Sequence, residues 1–145
     1  DGEKHRPVMI HRVIFGSIER SIGILTEHFA GKFPLWLAPV QVKICTVAEK
    51  FADYAEALAD RCRAAGLRVV TDTRNEKIGY KIREAQMQKI PYMLVVGAKE
   101  EEENLVSVRS RFAGDEGQKS LDEFVASVTE EIATRARREV VKEEN

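Results

Sequence analysis

From Val40 to Ile132, short β-rich runs take turns with amphipathic helical stretches, and that alternation confines the chain to a sheet with helices packed on it. The run Val40-Gln41-Val42-Lys43-Ile44-Cys45 reads as the first strand of this region. Thr46 and Glu49 have the spacing of a capping box. Phe51, Tyr54, Ala55, Leu58, Cys62 and Ala65 then line one face of a helix that Gly66 is placed to close. Leu67 to Thr71 is the next expected strand, Lys77 to Lys89 a helix with Ile78, Ile82 and Ala85 inward, and Tyr92 to Val96 a buried apolar strand. Asn104 lies between short runs that can pair as a hairpin ending in Val106-Ser107-Val108-Arg109. Ser120 and Glu123 make a second capping box before a helix with Leu121, Phe124, Val125, Val128 and Ile132 on one side. The expected fold class is α/β, a mostly parallel or mixed sheet flanked by helices.

Upstream the texture differs. Val8 to Phe15 reads as a strand, and Gly16-Ser17 turns it into a helix that Ser17 can cap. Ile18, Ile22, Leu25 and Phe29 give that helix one apolar face, and Gly31 and Pro34 end it. Lys32 to Pro39 is then a linker in which Trp36 is a packing anchor between two units. The domain division expected is 1–36 for the strand, helix and linker, and 37–145 for the α/β domain.

At 145 residues and 43% hydrophobic, the chain can build one core without staples. Cys45 and Cys62 are too few for a disulfide framework and lack a metal-like spacing, so a reducing, cytoplasmic setting is the expectation, with Cys62 in the core. No apolar run reaches the roughly 18 residues of a membrane span, and the start is too polar for a signal peptide, so no membrane partner is expected. The chain does not begin with Met and reads as a piece of something longer. A net charge of −1 argues against a general nucleic-acid binder, yet the charge is segregated. Arg61 to Pro91 holds eight bases against three acids, a local balance of +5, while acid collects in Glu100 to Glu103 and in the Glu143-Glu144 tail. A polyanion-binding surface on a neutral protein has this pattern, and so does an ordinary solvated face. The charged stretch from Arg135 to Asn145 reads as a frayed helix end.

Two segments carry chemistry. Gly16-Ser17 at a strand-to-helix turn offers free N–H groups to an anion, with Arg20 one turn on, although such a turn is also an ordinary cap. In Asp72-Thr73-Arg74-Asn75-Glu76-Lys77-Ile78-Gly79-Tyr80-Lys81, Asn75 either caps the helix or presents a planar amide to a base edge. Lys77 and Lys81, four apart, are expected to share a phosphate-facing side beside the apolar stripe. Gly79 inside a helix costs up to about 1 kcal/mol relative to Ala, which points to a close approach by another backbone or by RNA.

The string His11-Arg12-Val13-Ile14-Phe15-Gly16-Ser17-Ile18-Glu19-Arg20 resembles the third signature motif of class II aminoacyl-tRNA synthetases in its threonine-specific form. That resemblance implies an ATP contact for Arg20, with Gly16 and Ser17 near the bound amino acid or adenylate. It further implies that His11 is one of three protein ligands of a zinc ion that recognises threonine. Metal recognition suits the task, because an apolar pocket separates a hydroxyl from an isosteric methyl poorly. The segment from Asp72 to Glu84, with Pro91 to Gly97 and Val106 to Arg111, is similar to the anticodon-binding domain of threonyl-tRNA synthetases. The implied fold is a mixed sheet of about five strands flanked by helices, preceded by a strand-helix remnant of the catalytic domain. Asn75, Glu100 and Arg109 match positions that touch anticodon bases, and Lys89 matches a basic contact, beside Lys77 and Lys81. Arg111 and Lys119 are read as surface solvation. Ala98 stands where the family commonly has Asp, and Glu101-Glu102-Glu103-Asn104 reads as an acidic turn.

The function so implied is ATP-dependent attachment of threonine to its tRNA, with the chain binding the anticodon and lending motif 3 residues to an active site completed upstream. Threonine tRNA, threonine and ATP with magnesium are the implied partners, in a homodimer formed through the catalytic domain. These residues alone are expected to make no adenylate. A synthetase paralogue without aminoacylation, used as an RNA-binding regulatory module, fits the same residues. A dinucleotide-binding domain lacks its Gly-x-Gly-x-x-Gly, and a protein-interaction module leaves the basic cluster around one helix unexplained.

Overall fold

The computed structural model describes residues 2–138, and the chain divides into two compact units, Asp1–Gly31 and Lys32–Asn145. In the first unit one element forms, α1 (Ile18–His28), with the Ser17 hydroxyl accepting from the Arg20 N–H at 3.3 Å. Ala30 and Gly31 follow it with φ of 48° and 71° and end the helix. The strand expected from Val8 to Phe15 is absent. A strand needs a neighbour to satisfy its N–H and C=O groups, and this unit supplies none. Val8, Ile10, Val13, Phe15, Ile18 and Ile22 are exposed.

The second unit is a five-stranded mixed sheet in the order β2-β1-β3-β4-β5. Its elements run β1 (Val42–Thr46), α2 (Ala52–Ala64), β2 (Val69–Asp72), α3 (Ile78–Met87), β3 (Tyr92–Val96), α4 (Ala98–Glu103), β4 (Leu105–Ser110), β5 (Gly114–Ser120) and α5 (Leu121–Ala133). β1 pairs in parallel with β2 and β3, and β4 pairs antiparallel with β3 and β5. One face is closed by α2 and α5. Ala55, Leu58, Ala59 and Cys62 from α2, with Leu121, Phe124 and Val128 from α5, meet Val42, Ile44, Leu94, Val96, Val106 and Val108 of the sheet. The other face carries α3, whose Ala85 packs with Ile90 and Met93. Both cysteines are buried free thiols. Leu35 is fully buried in the main core, so packing of this unit begins before the expected boundary at 37. Trp36 packs within this unit, its ring 5.8 Å from the Arg135 guanidinium.

Several local expectations are corrected. Thr46 does not cap α2: it ends β1, a 3-10 turn intervenes at Glu49–Phe51, and neither that turn nor α2 has a side-chain cap. Strand pairing holds the Thr46 backbone, and its hydroxyl turns to the Asp72 carbonyl at 3.3 Å. Ala65 is exposed, and Ala59 takes the buried place on α2. The acidic stretch is α4 rather than a turn, because Gly97 and Glu100 form a capping box and Asn104, with φ 53°, ends the helix. The runs on either side of Asn104 do pair antiparallel, as β3 and β4, but through α4 and not a tight turn, and the tight hairpin joins β4 to β5. The Ser120–Glu123 capping box forms as expected. Arg111 is a clamp and not a solvated side chain. It donates to the carbonyls of Lys89 at 2.6 Å and Phe33 at 2.8 Å, and lies 4.9 Å from the Phe112 ring centroid. After α5, Arg138 donates to the Tyr92 hydroxyl at 2.5 Å and pairs with Glu116 at 3.2 Å, so this stretch docks instead of fraying. The rest of the expected frayed end, 139–145, lies outside the described residues.

Candidate nucleic-acid interface

Burial along β4 alternates: Val106, Val108 and Ser110 are buried, whereas Leu105, Ser107 and Arg109 are half-buried. Val106 and Val108 face the closed core, so Ser107 and Arg109 face the α3 side of the sheet. Register places Ser107 opposite Val95 and Gln118, and Arg109 opposite Met93 and Asp115. α3 covers β1 and Met93, and its cover stops short of this part of β4 and β5.

Glu100 comes to the same place from α4. Its carboxylate accepts from Ser107 Oγ at 2.7 Å, Gln118 Nε2 at 3.0 Å and the Gly97 N–H at 3.0 Å. Burial pushes the carboxyl up, but those donors outweigh it and hold the group below its usual range. Arg109 pairs with Asp115 at 3.3 Å, and Asp115 is itself 62% exposed, so the guanidinium is held lightly. Glu100 and Arg109 are thus brought onto one half-open polar face with Ser107 and Gln118. Sequence reasoning missed Ser107 and Gln118 as members of that face, because β5 (Gly-Asp-Glu-Gly-Gln-Lys-Ser) carries no strand-like residue pattern.

The loop joining β2 to α3 carries Asn75, which is exposed and does not cap the helix. The N-cap is Lys77, with no side-chain cap bond. Asp72 anchors the loop from below. Arg74 grips its carboxylate through two bonds of 2.9 and 2.6 Å and reaches Glu84, and Lys43 pairs with Asp72 at 3.1 Å. The Arg74 hydrogen bonds, with Lys43 and against the effect of burial, hold the Asp72 carboxyl well below the usual range.

Lys81 overturns the expectation of a phosphate-facing pair. Lys77 is exposed, but Lys81 is 0% exposed. Its Nζ donates to the Thr46 carbonyl at 2.9 Å, to the Thr46 hydroxyl at 3.2 Å and to the Asp72 carbonyl at 3.0 Å. A side chain enclosed in this way has no surface to offer RNA. It ties α3 to the ends of β1 and β2. Lys89 follows α3 with φ 58° and is half-buried. Much of the basic surplus of this region is also engaged by partners within the chain, in part at the surface. Arg61 pairs with Asp122, Arg63 with Asp60, and Arg68 with the carbonyls of Ala38 and Trp36. Lys77 and Arg83 are exposed as well.

In the first unit, His11, Gly16, Ser17 and Arg20 are all exposed. The Ser17 hydroxyl caps α1 and donates to Glu19 at 2.8 Å. Among the described residues no three His, Cys, Asp or Glu side chains lie close enough together to hold a metal ion. His11 is a single donor, so the residues present do not fit a zinc site of their own. No helix among the described residues is long and apolar enough to cross a membrane.

A mixed five-stranded sheet flanked by helices is the fold that comparison with known proteins also finds. The anticodon binding domain family matches residues 40–131, and the chain belongs to that family. Its relatives there include threonine–tRNA ligases. That of Caldanaerobacter subterraneus subsp. tengcongensis is 63% identical over 136 residues, covering 94% of this chain and 21% of the relative. Those of Clostridium tetani and Clostridium acetobutylicum are 63% and 57% identical, again over 21% of their length. The chain therefore spans about a fifth of the curated relatives it matches. Among solved structures, the RNA binding domain of threonyl-tRNA synthetase from Cryptosporidium parvum Iowa II superposes with a TM-score of 0.72 at 33% identity. That match covers 83% of this chain and 30% of the other. Histidyl-tRNA synthetase from Nostoc gives 0.57 at 25% identity, over 67% of this chain and 22% of the other.

Proposed function

We propose that the second unit reads the anticodon of threonine tRNA within a threonyl-tRNA synthetase that carries out the ATP-dependent attachment of threonine to its tRNA. The observation that carries this reading is the half-open face of β4 and β5, which Arg109 and the Ser107-bound Glu100 share, in a chain of the anticodon-binding family. Arg109 and Asn75 are planar donor groups suited to base edges, Glu100 accepts from base N–H groups, and exposed Lys77 suits phosphate. Lys89 adds a basic residue at the far end of α3. Lys81 has no direct contact with RNA in this reading and acts by holding the loop that carries Asn75.

The first unit supports the wider part of the proposal. Ile10, Ile14, Phe15, Ile18 and Ile22 form an apolar set left exposed, as expected of residues whose packing partners belong to a catalytic domain. Within such a domain Gly16, Ser17 and Arg20 would line the ATP and adenylate pocket, served by magnesium. His11 would be one zinc ligand among others supplied elsewhere. Dimerisation through that domain, and a cytoplasmic location, belong to the same proposal. The direct test is equilibrium binding of the chain to anticodon stem–loops. Preference for the threonine anticodon over unrelated ones is expected, and equal binding to all of them would contradict the proposal.

A further inference from the structure

Gly79 stands in α3 without a reason inside the protein. Its φ is not positive, unlike that of Gly66 or Gly117, so the backbone does not demand glycine. A Cβ built there meets nothing within 4 Å, whereas at Gly97 it would meet the Val47 side chain at 3.1 Å. Among the described residues, no other segment comes within 4 Å of that position. Glycine costs up to about 1 kcal/mol relative to Ala within a helix, and less in a first turn, and nothing in the fold offsets that cost.

The position of Gly79 on α3 indicates what approaches it. Lys81 and Glu84 reach toward Asp72 and Lys43, which places their flank over β1 and β2. At roughly 100° per residue, Gly79 lies about 160° round the helix from Lys81, on the opposite flank. Gln86, seven residues on and exposed, shares that flank, with half-buried Ile82 between them. The flank borders the part of the sheet that α3 leaves uncovered, where Ser107, Arg109 and Glu100 lie. Lys77 precedes it and Lys89 follows it, and no acidic side chain stands among Gly79, Ile82 and Gln86. An open helix flank with bare backbone at Gly79, on the side of α3 toward polar Ser107 and Arg109 and between Lys77 and Lys89, fits a polyanion with flat, bulky units.

We propose that Gly79 is a direct RNA contact, where a nucleotide of the anticodon loop packs against the Cα and peptide plane of α3 while the Gln86 amide faces its polar edge. This rests on the anticodon-reading role proposed above. It separates two properties that a structural glycine would keep together: adding a side chain stabilises the helix and obstructs the ligand.

The test uses Gly79→Ala and Gly79→Leu in the whole chain, with Met87→Ala on the outer side of α3 as a control, reading thermal melting and binding to a threonine anticodon stem–loop. Both glycine variants should melt at or above the unsubstituted chain. Affinity should fall by about fivefold for Ala and about fiftyfold or more for Leu, with Met87→Ala unchanged. Full affinity in both glycine variants would overturn the inference, and would leave this flank of α3 to another protein segment. A lower melting temperature for Gly79→Ala would also overturn it, by showing that the fold itself needs the glycine. If the unsubstituted chain binds no stem–loop, the anticodon-reading role fails and this contact fails with it.

Discussion

Lys81 is a long side chain enclosed on all sides, and its Nζ has three oxygen acceptors at 2.9 to 3.2 Å. Replacing it with Met keeps most of the shape and removes every donor, leaving two carbonyls and a hydroxyl short of partners. Lys81→Met should lower unfolding free energy by about 3 kcal/mol in a urea melt, and a loss below about 0.5 kcal/mol would contradict the structural role. The spacing of Lys77 and Lys81 misled sequence reasoning for a definite reason. The i, i+4 rule applies inside a helix, but Lys77 is the N-cap, with extended φ and ψ of −60° and 134°, so its side chain leaves in another direction. Exposed Asn75 and half-buried Arg109 were legible as candidate base contacts only through the motif around them. Ser107 and Gln118 were not legible, because nothing marks them until the strands are paired.

Among the elements, those with a 3.6-residue apolar period were readable: α2, α3 and α5 all fall where the pattern puts them, within a few residues. β3 was equally plain as a continuous apolar run. α4 and β5 were not, since α4 is a string of Glu and β5 is held as an edge strand by its ladder with β4. Nor does local pattern reveal the ion network that joins β1, β2 and α3 through Lys43, Asp72, Arg74 and Glu84. That network makes an acid-side prediction. The Asp72 carboxyl is held below its unfolded value, so its contribution is complete above a pH of about 4 and is lost as pH falls through the folded value. Asp72→Asn should therefore be less stable than the parent at neutral pH, and the gap should narrow steadily on acidification from about pH 5 to about pH 2. Urea melts across that range check this, and a gap independent of pH would contradict it.

For the whole molecule, alternation of strands and helices was enough to indicate an α/β sheet, but the strand order and the helix in the β3–β4 connection required the structure. The boundary between units also differs from the one read in the sequence. A chain beginning at Lys32 should melt cooperatively. One beginning at Leu37 loses Leu35 from the core and the Leu35 and Phe33 carbonyls that receive Gln41 and Arg111. It should be less stable by about 3 kcal/mol or more, and equal stability of the two would place the boundary at Leu37 after all. The central claim is that the half-open face reads bases while its basic margin holds phosphate. The most direct measurement compares Asn75→Ala, Arg109→Ala and Lys77→Ala for binding to threonine and unrelated anticodon stem–loops at two salt concentrations. Asn75→Ala and Arg109→Ala should each cost about 1–3 kcal/mol for the threonine anticodon and little for the others, whereas Lys77→Ala should weaken all RNAs alike and flatten the salt dependence. Uniform losses for all three variants would contradict base reading by Asn75 and Arg109.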